Sequence, residues 1–134
     1  MMEEGFFRAF DIAASGLHAE RVRLNVVANN VANADTTRTP EGGPYRRQQA
    51  VFSTVLGRLD GVRVRGVMPS SDPLRRVYEP GHPDAGPDGY VSMPNVKVPL
   101  EMIDLMAASR AYEANLATMR NFKQICQQTL KLLR

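Results

Sequence analysis

Residues 99–134 read PLEMIDLMAASRAYEANLATMRNFKQICQQTLKLLR, and after the leading proline no glycine or proline interrupts them. Proline suits a first helical position, where its missing N–H has no partner to lose. Glu101 and Asp104 follow in the first turns, where acids complement the helix dipole. A ladder then runs through Met102, Leu105, Ser109, Tyr112, Leu116, Met119, Lys123, Cys126, Leu130 and Leu133, in steps of three and four throughout. Only Ser109 and Lys123 break its apolar character. That spacing predicts one helix with a buried stripe. Five heptads at 1.5 Å per residue span ~50 Å, too long to fit inside a small sphere.

The other end of the chain has the same grammar. Phe6, Phe10, Ala13, Leu17, Leu24, Val27 and Val31 repeat at helical spacing, and Glu20 is the one position skipped. Arg8, Asp11, His18, Arg21 and Asn25 occupy the opposite side. The helix is expected from about Gly5 to Asn33. It should stop at Asn29, Asn30 and Asn33 followed by Asp35-Thr36-Thr37, residue types that favour helix ends and turns.

All nine prolines lie from Pro40 to Pro99, and eight of the ten glycines lie from Gly42 to Gly89. Residues 35–48 read as a loop. Gln49 to Leu56 is a strand candidate, Val62-Arg63-Val64-Arg65 alternates apolar with basic, Leu74 to Tyr78 is a third candidate and Gly89 to Met93 a fourth. Asp60-Gly61, Pro80-Gly81 and Asp88-Gly89 mark turns. The expected fold is therefore α+β. Long N- and C-terminal helices form an antiparallel, coiled-coil-like pair around a small β-rich middle insert. The expected divisions are 1–34, 35–98 and 99–134. A chain of 134 residues fits one domain, and a hydrophobic content of 43% is too high for wholesale disorder.

Several function classes lack the residues they need. There is no Walker loop, dinucleotide fingerprint or nucleophile elbow. His18 and His82 have no second ligand at metal spacing, and the single Cys126 excludes an internal disulfide and a cysteine-based zinc site. No catalytic residue, cofactor, metal site or small-molecule substrate is expected. The net charge is +3, and residues 114–134 carry Arg120, Lys123, Lys131 and Arg134 without an acid. Basic residues near a helix C-terminus are accounted for by the dipole. Eight arginines lie among seven acids between Asp35 and Asp88, with no interleaved aromatic platform. Nucleic acid is thus not an expected partner. Arginine forks to carboxylates at a subunit interface account better for them. No apolar run reaches the ~18 residues of a membrane span. The start, Met-Met-Glu-Glu-Gly-Phe-Phe, lacks the basic region of a cleavable signal.

Small residues accompany both stripes: Ala13, Ala14, Ala28 and Ala32 in the first helix, then Ala107, Ala108, Ala111, Ala114 and Ala117 in the second. They let helices approach closely on several faces. The stripes can form an ordinary hairpin core or an assembly interface, and the alanines favour the latter. The candidate assembly residues are Phe10, Ala13, Leu17, Leu24, Val27, Val31, Met102, Leu105, Tyr112, Leu116, Met119, Leu130 and Leu133.

Phe10-Asp-Ile-Ala-Ala-Ser-Gly-Leu17, followed by Asn25-Val-Val-Ala-Asn-Asn-Val-Ala-Asn-Ala-Asp-Thr36, resembles the N-terminal motif of the bacterial flagellar rod and hook proteins. Thr37 to Gln48, Glu79 to Asp84, Asp88 to Val96 and Ala108 to Asn115 are similar to the C-type, proximal-rod branch of that family. Thr37-Arg38-Thr39 stands where the wider family has Thr-x-Gly-aromatic, which fits that branch and not the hook. The matching positions include Ser15, Gly16, Leu17, Asn29, Asn30, Asn33, Thr36, Tyr112, Glu113 and Asn115.

The resemblance implies a structural subunit made in the cytoplasm. It would pass the flagellar type III export apparatus without a cleaved signal and polymerise in the periplasm into the hollow drive shaft of the basal body. Its expected partners are copies of itself and other rod subunits, with the helices forming the inner tube. Its termini are expected to be loose before assembly. The alternative is a secreted adaptor or binding module with a dimeric coiled coil.

Overall fold

The computed structural model describes residues 2–54 and 61–132. Val55, Leu56, Asp60 and Leu133, and the side chain of Phe6, lie outside the described residues. Helix α1 spans Met2–Ala32 and helix α2 spans Val98–Leu132. Between them come four strands, β1 Gln48–Thr54, β2 Val62–Pro69, β3 Arg75–Tyr78 and β4 Tyr90–Met93. This is the α+β arrangement that the repeats at the two ends and the breakers in the middle call for.

Helix α1 ends in the asparagine run. The Asn33 amide nitrogen donates to the Asn29 carbonyl, and the Asn33 side chain donates to the same oxygen at 2.9 Å. Helix α2 starts one residue before Pro99, at Val98, which keeps the proline in the first turn where no backbone donor is needed. The pairing of the helices is antiparallel, as three cross-contacts show. Gly16 faces Asn115, Arg23 pairs with Asp104, and Asn30 bonds Glu101, so the α2 partner falls in number as the α1 residue rises.

The stripe that closes this hairpin differs from the apolar ladder. Its buried members are Ala13, Ala19, Val26, Val27 and Asn30 on α1, and Glu101 and Ala108 on α2. Met102 is exposed although it heads the ladder, and so is Leu130. The physical reason is size. Alanine and glycine bring the two backbones close, so the seam runs along the small residues and the larger apolar side chains are displaced to its flanks. Leu17, Leu24, Val31, Leu105, Tyr112, Leu116 and Met119 are accordingly half-buried.

The strands form two separate two-stranded antiparallel sheets, β1 with β2 and β3 with β4. In the first, Gln48 faces Pro69 and Thr54 faces Val62, and the register slips once because β2 carries Arg65 as an extra residue. This sheet leans on α1, whereas α2 packs against α1 and against no strand among the described elements. In the second, Arg75 faces Met93 and Tyr78 faces Tyr90. Val91, Pro94 and Val96 supply the apolar burial of this part of the chain.

Candidate assembly surface

The motif residues cluster at the places where the elements meet. Ser15 lies on the side of α1 that meets β2. Its Oγ donates to the Ile12 carbonyl at 2.7 Å and accepts from the Val62 amide at 3.1 Å, which ties the start of β2 to the helix. Gly61, just before Val62, has a φ of 95°, and a Cβ built there would stand 2.2 Å from Ser15 Oγ. Only glycine suits that turn. Gly16 meets Asn115 across the seam, where an added Cβ would stand 2.9 Å from the Asn115 amide nitrogen.

Asn30, Tyr45, Arg47, Gln48 and Glu101 form a polar knot under the loop that joins α1 to β1. Asn30 is fully buried. Its Nδ2 donates to the Gln48 carbonyl and to Glu101 Oε2, each at 2.9 Å. Its Oδ1 accepts from the Gln48 amide at 2.8 Å and from the Tyr45 hydroxyl at 2.9 Å. One side chain thus serves both backbone groups of Gln48, as a neighbouring strand would. Glu101 is equally enclosed, and its Oε1 accepts from Arg47 Nε at 2.5 Å. A buried carboxylate is tolerable only when charge and hydrogen bonds answer it, and Arg47 and Asn30 do so. Burial raises the Tyr45 pKa above its ordinary value of 10.0, and the Glu101 carboxylate raises it further.

Three further arginines find carboxylates within the chain. Arg23 pairs with Asp104, Arg38 lies 3.8 Å from Asp84, and Arg76 reaches Asp88 at 2.6 Å. Arg38, Arg47 and Arg76 of the middle segment thus have carboxylate partners within the chain, and Arg38 and Arg76 are exposed, as are Arg63, Arg65 and Arg75. The Tyr90 backbone N–H, helped by Arg76, holds the Asp88 carboxyl below its ordinary range.

Of the other motif positions, Asn33 Oδ1 accepts from the Thr36 hydroxyl at 3.2 Å, whereas Asn29 and Glu113 are exposed. Of the candidate assembly residues, Ala13 and Val27 are buried in the hairpin and Phe10 stands at the margin of exposure. Phe10 lines an apolar cleft with Phe7, Met119, Phe122 and Cys126.

A second apolar face of α2 escaped the single-ladder reading. Leu100, Ile103 and Met106 are 57%, 61% and 53% exposed, and the exposed Ala107, Ala114 and Ala117 continue the face along the helix, with the exposed Arg110 set among them. These residues point away from the seam defined by Glu101, Ala108 and Asn115. Their signal was present in the sequence as a parallel repeat, shadowed by the longer ladder. The knot left no such local signal, because Arg47 and Glu101 are 54 positions apart. Among the described residues no three His, Cys, Asp or Glu side chains gather as a metal site would require, and no helix is long and apolar enough to cross a membrane.

Comparison with known proteins agrees with this geometry at both ends. Residues 10–38 match the model of the flagella basal body rod protein family, and residues 88–132 match that of the flagellar basal body rod FlgEFG protein C-terminal region. The flagellar basal-body rod protein FlgC of Salmonella typhimurium is 47% identical over 126 residues, covering 92% of this chain and 94% of that protein. The chain belongs to the FlgC family of flagellar basal-body rod proteins. The FlgC of Borreliella burgdorferi is 39% identical, covering 96% of this chain and 98% of that protein. For Bacillus subtilis FlgC the identity is 36%, with 94% and 97% covered. FlgC proteins are structural and not enzymes, and the two matched regions contain Gly16, Asn30, Glu101 and Asn115, which meet across the hairpin, and Ser15, which ties β2 to α1.

Proposed function

We propose that this chain is a building block of the proximal rod, the hollow shaft that carries torque from the membrane ring to the hook. In this reading it leaves the cytoplasm through the flagellar type III export apparatus without a cleaved signal. It assembles in the periplasm with copies of itself and with other rod subunits. The observation that carries the reading is the outer face of α2. Leu100, Ile103 and Met106 stand exposed on the side opposite the hairpin seam, continued by alanines that allow close helix approach. A helix with one side closed by α1 and another left apolar fits a packed wall, in which heterologous contacts repeat along a helical assembly. Phe10, Met102, Leu116, Met119 and Leu130, which flank the hairpin seam, are proposed as a second set of assembly contacts on the other side of α2.

Ile103→Asp tests this directly. The side chain is exposed in the single chain, so circular dichroism and the thermal midpoint should match wild type. Placing a carboxylate in an apolar interface costs several kcal/mol, so motility and recovery of the chain in purified basal bodies should be lost. Normal motility at normal expression and export would overturn the proposal. The adaptor alternative predicts one stable oligomer of the isolated chain by sedimentation, which the rod reading does not.

A further inference from the structure

The segment between the helices has little core of its own. Each sheet has two strands, and an isolated two-stranded hairpin is marginal in water. The β1–β2 sheet is instead held from outside, by Ser15 at Val62 and by the knot at Gln48 and Arg47. The knot is divided between the helices. Asn30 belongs to α1, Glu101 belongs to α2, and the Asn30 amide nitrogen uses one hydrogen on Gln48 and the other on Glu101. Because α2 packs against no strand among the described elements, Glu101 is its one hydrogen-bonded link to the start of β1. Take α2 away and Arg47 loses its carboxylate while Asn30 loses an acceptor. The groups that anchor β1 are then left unanswered in a partly buried place.

We infer that the Asn30–Arg47–Glu101 knot is a clasp that makes order in the loop before β1 and in the β1–β2 sheet conditional on closure of the α1–α2 pair. The clasp concerns the order in which parts of one chain become fixed, so it goes beyond the shaft role and stands whether or not that role holds. Its consequence is that the middle segment presents a defined surface only on a closed hairpin. Local opening of such a unit is a recognised form of sub-global unfolding.

Hydrogen exchange on the full chain, read by mass spectrometry, tests the clasp. Ala108 is fully buried in the seam and two turns from Glu101, so Ala108→Asp opens the hairpin without touching the sheet. Amides of residues 45–54 should then exchange at least tenfold faster together with those of α2. Unchanged protection at 45–54 while α2 opens would show that the sheet depends on α1 alone and would overturn the clasp. If Ala108→Asp unfolds the whole chain, Glu101→Gln decides. It keeps the size of the side chain but presents an amide to two donors. It should raise exchange at 45–54 at least tenfold while α1 near Ala13–Ala19 changes less than threefold. A uniform rise over helices and strands, or no rise, overturns the proposal. So does a wild-type chain in which 45–54 is protected while α2 exchanges freely.

Discussion

Asn30 makes four hydrogen bonds with one side chain, the full capacity of its amide. That saturation makes it a poor site for substitution. Asn30→Ala removes all four and leaves the Gln48 backbone groups and one Glu101 oxygen without it. Buried groups left unanswered cost about 1–3 kcal/mol each, and relaxation limits the sum, so the expected loss of stability is about 3 kcal/mol. A denaturant titration of the variant checks it, and a loss under about 1 kcal/mol would mean that water replaces the amide. Tyr45 gives a pH prediction at the same site. Its folded pKa is raised above the unfolded 10.0, so between the two values the unfolded chain gives up its proton first. Stability should therefore be unaffected by Tyr45 below about pH 9 and fall as pH rises past 10. The fall should be shallower in Tyr45→Phe, which has no proton to lose, and parallel curves for the two chains would contradict the assignment. The sequence marks Asn29, Asn30 and Asn33 alike as the end of a helix. That Asn29 is exposed, Asn30 buried and Asn33 engaged at the terminus depends on where the chain returns, 15 to 18 residues later.

At the scale of elements, α2 has two apolar sides with different duties. Leu116 is half-buried against the hairpin flank, whereas Ile103 faces outward. Leu116→Asp should therefore lower the thermal midpoint of the single chain and prevent incorporation into the rod, whereas Ile103→Asp should affect incorporation alone. Motility in the Leu116→Asp strain at normal export would contradict this. The contrast separates folding from assembly on one helix. It was only partly legible in the sequence. A three-four repeat identifies a stripe, but two stripes lie side by side on α2, and a rotation by one residue exchanges Met102 for Glu101. What settles the rotation is the size of the facing residues: Gly16 and Ala19 admit a close neighbour, and Ala108 and Asn115 supply it. The strands were easier to find, since turn residues bound them, yet their division into two separate sheets required the pairing itself.

Across the whole molecule, two helices of about 46 and 52 Å at 1.5 Å per residue form an antiparallel pair with every proline in or bordering the segment between them. Cys126 sits at the far end of that pair from the knot, half-buried in the cleft with Phe7, Phe10 and Phe122. It acts there as a small apolar filler. Cys126→Ser should leave assembly and swimming speed near wild type, and a non-motile serine strain would show that the thiol has a further role. The sequence alone determined the element order, because apolar spacing and the placement of glycine and proline are local properties of the chain. It also carried the family resemblance in its asparagine-rich and Ser-Gly motifs. The tertiary structure alone decided which stripe closes the hairpin, which arginine meets which carboxylate, and that a buried Asn30–Glu101 contact joins both helices to the first strand. Those choices depend on side-chain volume and charge brought together from residues 71 positions apart at Asn30–Glu101 and 81 apart at Arg23–Asp104, and no local pattern records such a meeting.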